Sequence, residues 1–180
     1  MNEEKIIFII PGFKHLPTNK AYKKLAKMLK KDGYHPILVK IPWKKTTISE
    51  NTTYFLEKYK KINTKKKYIL GFSFGAMIAF IASTKVSPSG LILCSLSPYF
   101  KEDMSSSPLH CRTLAKQIKA KQIHMLYGAK ETKPLINRVT KAFRYIPSMH
   151  KYLISIQQTE HNIGDKRYLH KIHQITKELI

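Results

Sequence analysis

Unbroken apolar runs alternate with segments whose apolar residues recur every three or four positions, along the whole chain. Lys5–Ile10, His35–Ile41, Lys67–Phe72, Leu91–Leu96, Gln122–Tyr127 and Tyr152–Ile156 are the runs. A strand with one wet face alternates apolar and polar residues. These runs do not, so they read as strands covered on both faces, the signature of a parallel sheet. Between them lie predicted helices at Thr18–Lys31, Ser49–Ile62, Phe74–Thr84, His110–Ala120, Lys133–Phe143 and Asp165–Leu179. In the first, Tyr22, Leu25, Ala26 and Leu29 form one face and lysines fill the other, and Asp32-Gly33 stops it. Ser49 is the expected cap of the second. The order predicts an α/β, doubly wound protein with six mostly parallel strands and helices on both faces. With 180 residues the chain reads as a single domain, residues 1–180.

The third strand meets the third helix at Gly71-Phe72-Ser73-Phe74-Gly75, a G-x-S-x-G pattern. The spacing has a mechanical reason. A nucleophile on a sharp strand-to-helix turn has a strained backbone and stands above the sheet. Small residues two before and two after it prevent a collision between the strand and the new helix. Ser73 would sit at a helix N-terminus, with the Phe74 amide aimed at a developing oxyanion. The bland reading is that Ser73 only caps a helix and the glycines only serve packing.

Composition narrows the classes. Apolar residues make up 43% of the chain and charged residues 24%, which excludes a disordered or fibrous protein. Thirty-three Lys and Arg against eleven Asp and Glu give a net charge of +22. Such a field favours anionic ligands, although the abundance of Lys, Ile, Tyr and Asn also fits a simple compositional bias. The two cysteines, Cys94 and Cys111, form no C-x-x-C pair, so a reducing compartment is expected. The N-terminus has no basic region followed by a long apolar one, and no run approaches bilayer length. A cytoplasmic location with no membrane span is expected.

With the Gly71–Gly75 motif and this element order, the chain resembles the α/β-hydrolase family, in particular its small members that lack a lid domain. The resemblance covers nearly the whole chain and implies the order nucleophile, acid, histidine. Between Ser73 and the last strand the acidic residues are Glu102, Asp103 and Glu131. The resemblance places the acid three residues after Gly128, at Glu131, where the family more often has Asp. Asp103, in the unpatterned stretch between Ser97 and Leu109, is the alternative. The resemblance also implies His161, between the last strand and the last helix, as the general base. Phe13 would give the second oxyanion amide. It follows Pro11-Gly12, where the family usually has a His-Gly pair.

The remaining candidates carry weaker signals. His15 could line the site, but a surface position is the simpler expectation. His170 and His173 lack an evident carboxylate or thiolate partner and should be exposed. Trp43, Phe13, Phe74, Tyr99 and Phe100 could wall an acyl pocket, whereas Phe72 reads as core. Lys65-Lys66-Lys67 precedes a strand and so belongs to the opposite edge of the sheet. The function implied is a serine hydrolase acting on a small-molecule ester or thioester through Ser73, Glu131 and His161, without metal or organic cofactor. The basic charge would suit an anionic or carrier-bound substrate. The competing reading is a non-catalytic basic module that binds nucleic acid or another anionic partner. Lysines spread over every helix, rather than clustered with aromatics on one face, argue against nucleic acid. The sequence carries no signal for an oligomeric state.

Overall fold

The computed structural model describes residues 4–43, 47–97 and 108–179, with only the backbone considered at 108–110. Twelve elements alternate along them: β1 (Lys5–Ile10), α1 (Lys20–Lys31), β2 (Tyr34–Leu38), α2 (Ile48–Lys61), β3 (Lys66–Phe72), α3 (Phe74–Ala82), β4 (Gly90–Cys94), α4 (Pro108–Lys116), β5 (Gln122–Gly128), α5 (Lys133–Tyr145), β6 (Lys151–Ile156) and α6 (Lys166–Glu178). The strands form one sheet in the order β2-β1-β3-β4-β5-β6, and every pairing is parallel. The expected doubly wound α/β architecture is what the chain adopts.

Both faces of the sheet are dry, which explains the unbroken apolar runs. Side chains of β1 alternate between two cores. Ile6, Phe8 and Ile10 join the cluster under α2, α3, α4 and α5, while Ile7 and Ile9 join the one under α1 and α6. Fully buried rings such as Phe8, Phe55, Tyr22 and Tyr168 fill these layers. Each such ring contributes roughly 1.5–3 kcal/mol relative to an exposed one.

Local chemistry sets the ends of the elements. Gly33 closes α1 at a φ of +83°, a left-handed conformation that favours glycine. The cap of α2 is Thr47, not Ser49. The Thr47 hydroxyl accepts from the Glu50 amide at 3.1 Å, and the Glu50 carboxylate accepts from the Thr47 amide at 2.7 Å. That reciprocal box satisfies two amides, one more than a lone serine cap would. Strand β2 is an edge strand paired only to β1, so it tolerates Pro36. Strand β4 ends at Cys94 because Ser95 turns to a φ of +52°.

Because all six strands are parallel, their C-terminal ends share one edge of the sheet. The loop after β1, Ser73 after β3, Ser95 after β4, Glu131 after β5 and His161 after β6 all belong to it. Strand order reverses between β1 and β3, and open α/β sheets place their ligand crevice at such a switch point.

Candidate active site

Ser73 lies at that switch point with φ 57° and ψ −118°. For a non-glycine residue this conformation costs roughly 1–3 kcal/mol and persists only where its surroundings enforce it. The enforcement is visible. The Ser73 amide donates to the Cys94 carbonyl at 2.9 Å, and the Ser73 carbonyl accepts from Met77 in α3 at 3.2 Å. A side chain on Gly71 would collide with the Gly75 backbone. One on Gly75 would collide with the Ile10 and Pro11 carbonyl oxygens. Both glycines of the motif are therefore required by close backbone approach, and that approach seats α3 against the end of β1.

The loop after β1 reaches the same place. A Cβ on Gly12 would stand 3.4 Å from Ser73 Cβ and 3.2 Å from the Phe72 ring. The next residue, Phe13, packs edge-on against Phe74 and Trp43, each at 5.5 Å between ring centres. Three of the aromatic candidates thus form one wall beside Ser73. Tyr99 and Phe100 lie outside the described residues.

Glu131 and His161 are brought together by a second pair of loops. Gly128, which ends β5, sits so close to Thr159 that a side chain would strike its carbonyl oxygen. The Lys130 amide donates to that same oxygen at 2.9 Å, and Ala129 donates to Ile156 at 2.9 Å. This stitching holds the acid loop against the histidine loop. Glu131 Oε1 stands 3.6 Å from His161 Nδ1, the carboxylate side chain fully buried and the imidazole 41% exposed. That distance is longer than a hydrogen bond. The His161 ring also lies 4.8 Å from Phe72, the residue preceding Ser73. Among the described residues no hydrogen bond joins Ser73 Oγ to His161, and such pairs commonly tighten only when substrate binds. Asp103, the alternative acid, lies outside the described residues.

His15 departs from the surface position expected for it. It is half-buried, its ring parallel to Phe72 at 6.2 Å. The Gly12 amide donates to the Tyr22 hydroxyl at 2.9 Å, and the same hydroxyl is hydrogen-bonded to His15 Nδ1, also at 2.9 Å. Burial, reinforced by nearby His161, holds the His15 imidazole below its ordinary pKa. Tyr22, read from sequence only as a helix-face residue, is thus the pin of the Gly12 loop. Its spacing in the sequence gave no sign of that role, because the contact spans a turn.

Ser95 is the other residue that sequence reasoning missed. Its hydroxyl lies 2.5 Å from Glu131 Oε1 and 2.6 Å from the Tyr168 hydroxyl. His173 is not free as expected: Nε2 meets Asp32 Oδ1 at 2.9 Å and ties α6 to the end of α1. His170 is exposed. Cys94 is fully buried and its thiol is pushed up by that burial, which suits a packing role. Among the described residues no cluster of His, Cys, Asp and Glu could hold a metal ion, and no helix is long and apolar enough to cross a membrane. Lys65 and Lys66 stand at the far edge of the sheet, where with Lys121 and His150 they line a concavity of about 480 Å³.

No protein-family model and no curated protein sequence matches the chain. Solved structures do. A putative hydrolase from Agrobacterium vitis superposes with a TM-score of 0.81 at 13% identity, over 98% of this chain and 88% of that one. Alpha/beta hydrolase domain-containing protein 10 from mouse gives 0.79 at 12%, over 99% and 91%. Est1E from Butyrivibrio proteoclasticus gives 0.78 at 13%, over 99% and 87%.

The chain has the α/β-hydrolase fold.

Similar structures also include a monoacylglycerol lipase from Paleococcus ferrophilus and a dienelactone hydrolase from Anabaena variabilis. In this chain the loops at the strand C-termini bring Gly12 beside Ser73 and Glu131 beside His161.

Proposed function

We propose that this protein is a serine hydrolase of carboxylic esters or thioesters. Ser73 is the nucleophile, His161 the general base and acid, and Glu131 the carboxylate that orients His161. The observation that carries this reading is a buried Glu131 carboxylate facing a half-exposed His161 at 3.6 Å, on the sheet edge where Ser73 is strained into a left-handed backbone. A surface serine and a surface histidine would need neither feature.

In the first step Ser73 Oγ attacks the acyl carbon and its proton passes to His161 Nε2. The carbonyl oxygen becomes an anion held by the Phe13 and Phe74 amides. Losing one such donor costs about 2.7–4 kcal/mol of transition-state stabilisation. The C–O or C–S bond then breaks, and the leaving alcohol or thiol takes the proton from His161. Water, deprotonated by His161, attacks the acyl-enzyme; the C–Oγ bond breaks, Ser73 Oγ takes the proton back from His161, and the acid is released. Glu131 stabilises the imidazolium formed in each half-reaction.

The Phe13–Trp43–Phe74 wall supports an apolar acyl group of short or medium length. Lys14, over the Phe13 ring at 5.0 Å, and Lys130, beside Glu131, put positive charge on the rim. That charge supports a small anionic or carrier-bound ester over a neutral lipid. Rapid-mixing hydrolysis of a chromogenic ester series tests the reading. A burst of leaving group equal to the enzyme concentration is expected. Glu131→Gln should lower kcat by about 10²–10⁴-fold, in the range seen when a triad acid is neutralised, while Asp103→Asn leaves it within twofold. A crippled Asp103→Asn beside an active Glu131→Gln would overturn the acid assignment.

A further inference from the structure

Glutamate has one more rotatable bond than aspartate, so its carboxylate needs an extra constraint to face a histidine. Ser95 is placed to supply it. The Ser95 amide donates to the Leu126 carbonyl at 2.7 Å, which fixes the residue to β5 just past the end of β4. Its φ of +52° turns the side chain away from the strand direction. Its hydroxyl meets Glu131 Oε1 at 2.5 Å, the same oxygen that faces His161 Nδ1.

The direction of the hydrogen bonds follows from counting protons. An ionised carboxylate only accepts. Ser95 therefore spends its single proton on Glu131, and its oxygen must accept from Tyr168 at 2.6 Å. Tyr168 is fully buried on α6, and burial, above all other influences, pushes its phenol well above the ordinary value. It remains a donor throughout the working range of pH. The other carboxylate oxygen, Oε2, is buried with no hydrogen-bond partner among the described residues, so among them Ser95 is the hydrogen-bond donor that fixes the group.

We infer that Ser95 and Tyr168 are positioning residues: a relay Tyr168 O–H to Ser95 O–H to Glu131 Oε1 clamps the carboxylate toward His161. The inference rests on the triad reading above but has a readout that does not need turnover. Its test uses Ser95→Gly, because a left-handed φ suits glycine and the fold should persist without the hydroxyl. It adds Tyr168→Phe, which removes only the outer donor, and the double variant.

Two measurements are made on the same samples. In proton NMR at acidic pH, where a protonated His161 would be drawn from 3.6 Å into a hydrogen bond with Glu131, a downfield His161 Nδ1–H resonance is expected in wild type, and is lost in Ser95→Gly and in Glu131→Gln. In ester kinetics Ser95→Gly should lower kcat about tenfold with KM within twofold. Tyr168→Phe should lower it less, and the double variant should match Ser95→Gly alone, because the outer donor acts through the inner one. Absence of the resonance from wild type, its persistence in Ser95→Gly, or additive losses in the double variant would each overturn the relay. A wild type that shows the resonance but hydrolyses no ester would overturn the proposed reaction and leave the relay standing.

Discussion

Gly75 has no room for even a methyl group, because two carbonyl oxygens of the β1 end occupy the space a Cβ would need. Backbone, unlike a flexible side chain, cannot step aside. Gly75→Ala should therefore destabilise the protein by about 1–3 kcal/mol or more, the cost of overpacking a tight site. It should also displace Ser73 from the Gly12 loop. Urea unfolding beside an ester assay checks this, and an unchanged midpoint would contradict the tight contact. Ser73 and its glycines were legible in the sequence because their constraint is local: five consecutive residues state it. Glu131 and His161 were placed by chain order and resemblance. His15 was legible only as one of two possibilities, a surface residue or a lining of the site, and Ser95 not at all. Their partners, Tyr22 and Tyr168, are seven and seventy-three positions away, and nothing in either residue's immediate surroundings points to them.

Strands and helices were largely written in the apolar pattern, because a sheet dry on both faces leaves little ambiguity between a run and a stripe. Their ends were less so. The α2 cap was a misreading with its correction in plain sight: Thr47-Ile48-Ser49-Glu50 carries the threonine and the glutamate three residues on that make a reciprocal cap. At the level of elements, the packing of β6 on β5 gives a pH signature. His124 of β5 is buried and stacks on Tyr152 of β6 at 4.7 Å. Burial holds its imidazole down to about 4 from an ordinary 6.5. The unfolded chain takes up this proton below pH 6.5, and the folded chain only near pH 4. Between those values the unfolded state binds more protons, so stability falls as pH falls; above pH 6.5 the contribution is complete. His124→Phe keeps a ring against Tyr152 and cannot titrate. The stability of wild type relative to this variant should fall in urea titrations stepped from pH 7 to pH 4. A constant difference would show that His124 is not held neutral.

Across the whole molecule, +22 charges are confined to one small fold. None of the salt bridges seen among the described residues uses a lysine; Arg167 makes one with Asp165, and the other three count only where a histidine is protonated. Self-repulsion is thus largely uncompensated, and salt should relieve it. The melting temperature should rise as sodium chloride is added, while hydrolysis of a neutral ester changes little. A melting temperature that falls with salt would contradict uncompensated repulsion. Steep loss of binding to a nucleic acid with salt, together with no esterase activity, would instead favour the basic-module reading.

The central claim is that this fold holds an activated serine. Intact-mass analysis after exposure to a fluorophosphonate probe, wild type beside Ser73→Ala, tests it most directly. One adduct on the wild type and none on the variant is the result expected. A folded wild type that takes up no probe, or a Ser73→Ala variant labelled as fast as wild type, would contradict it.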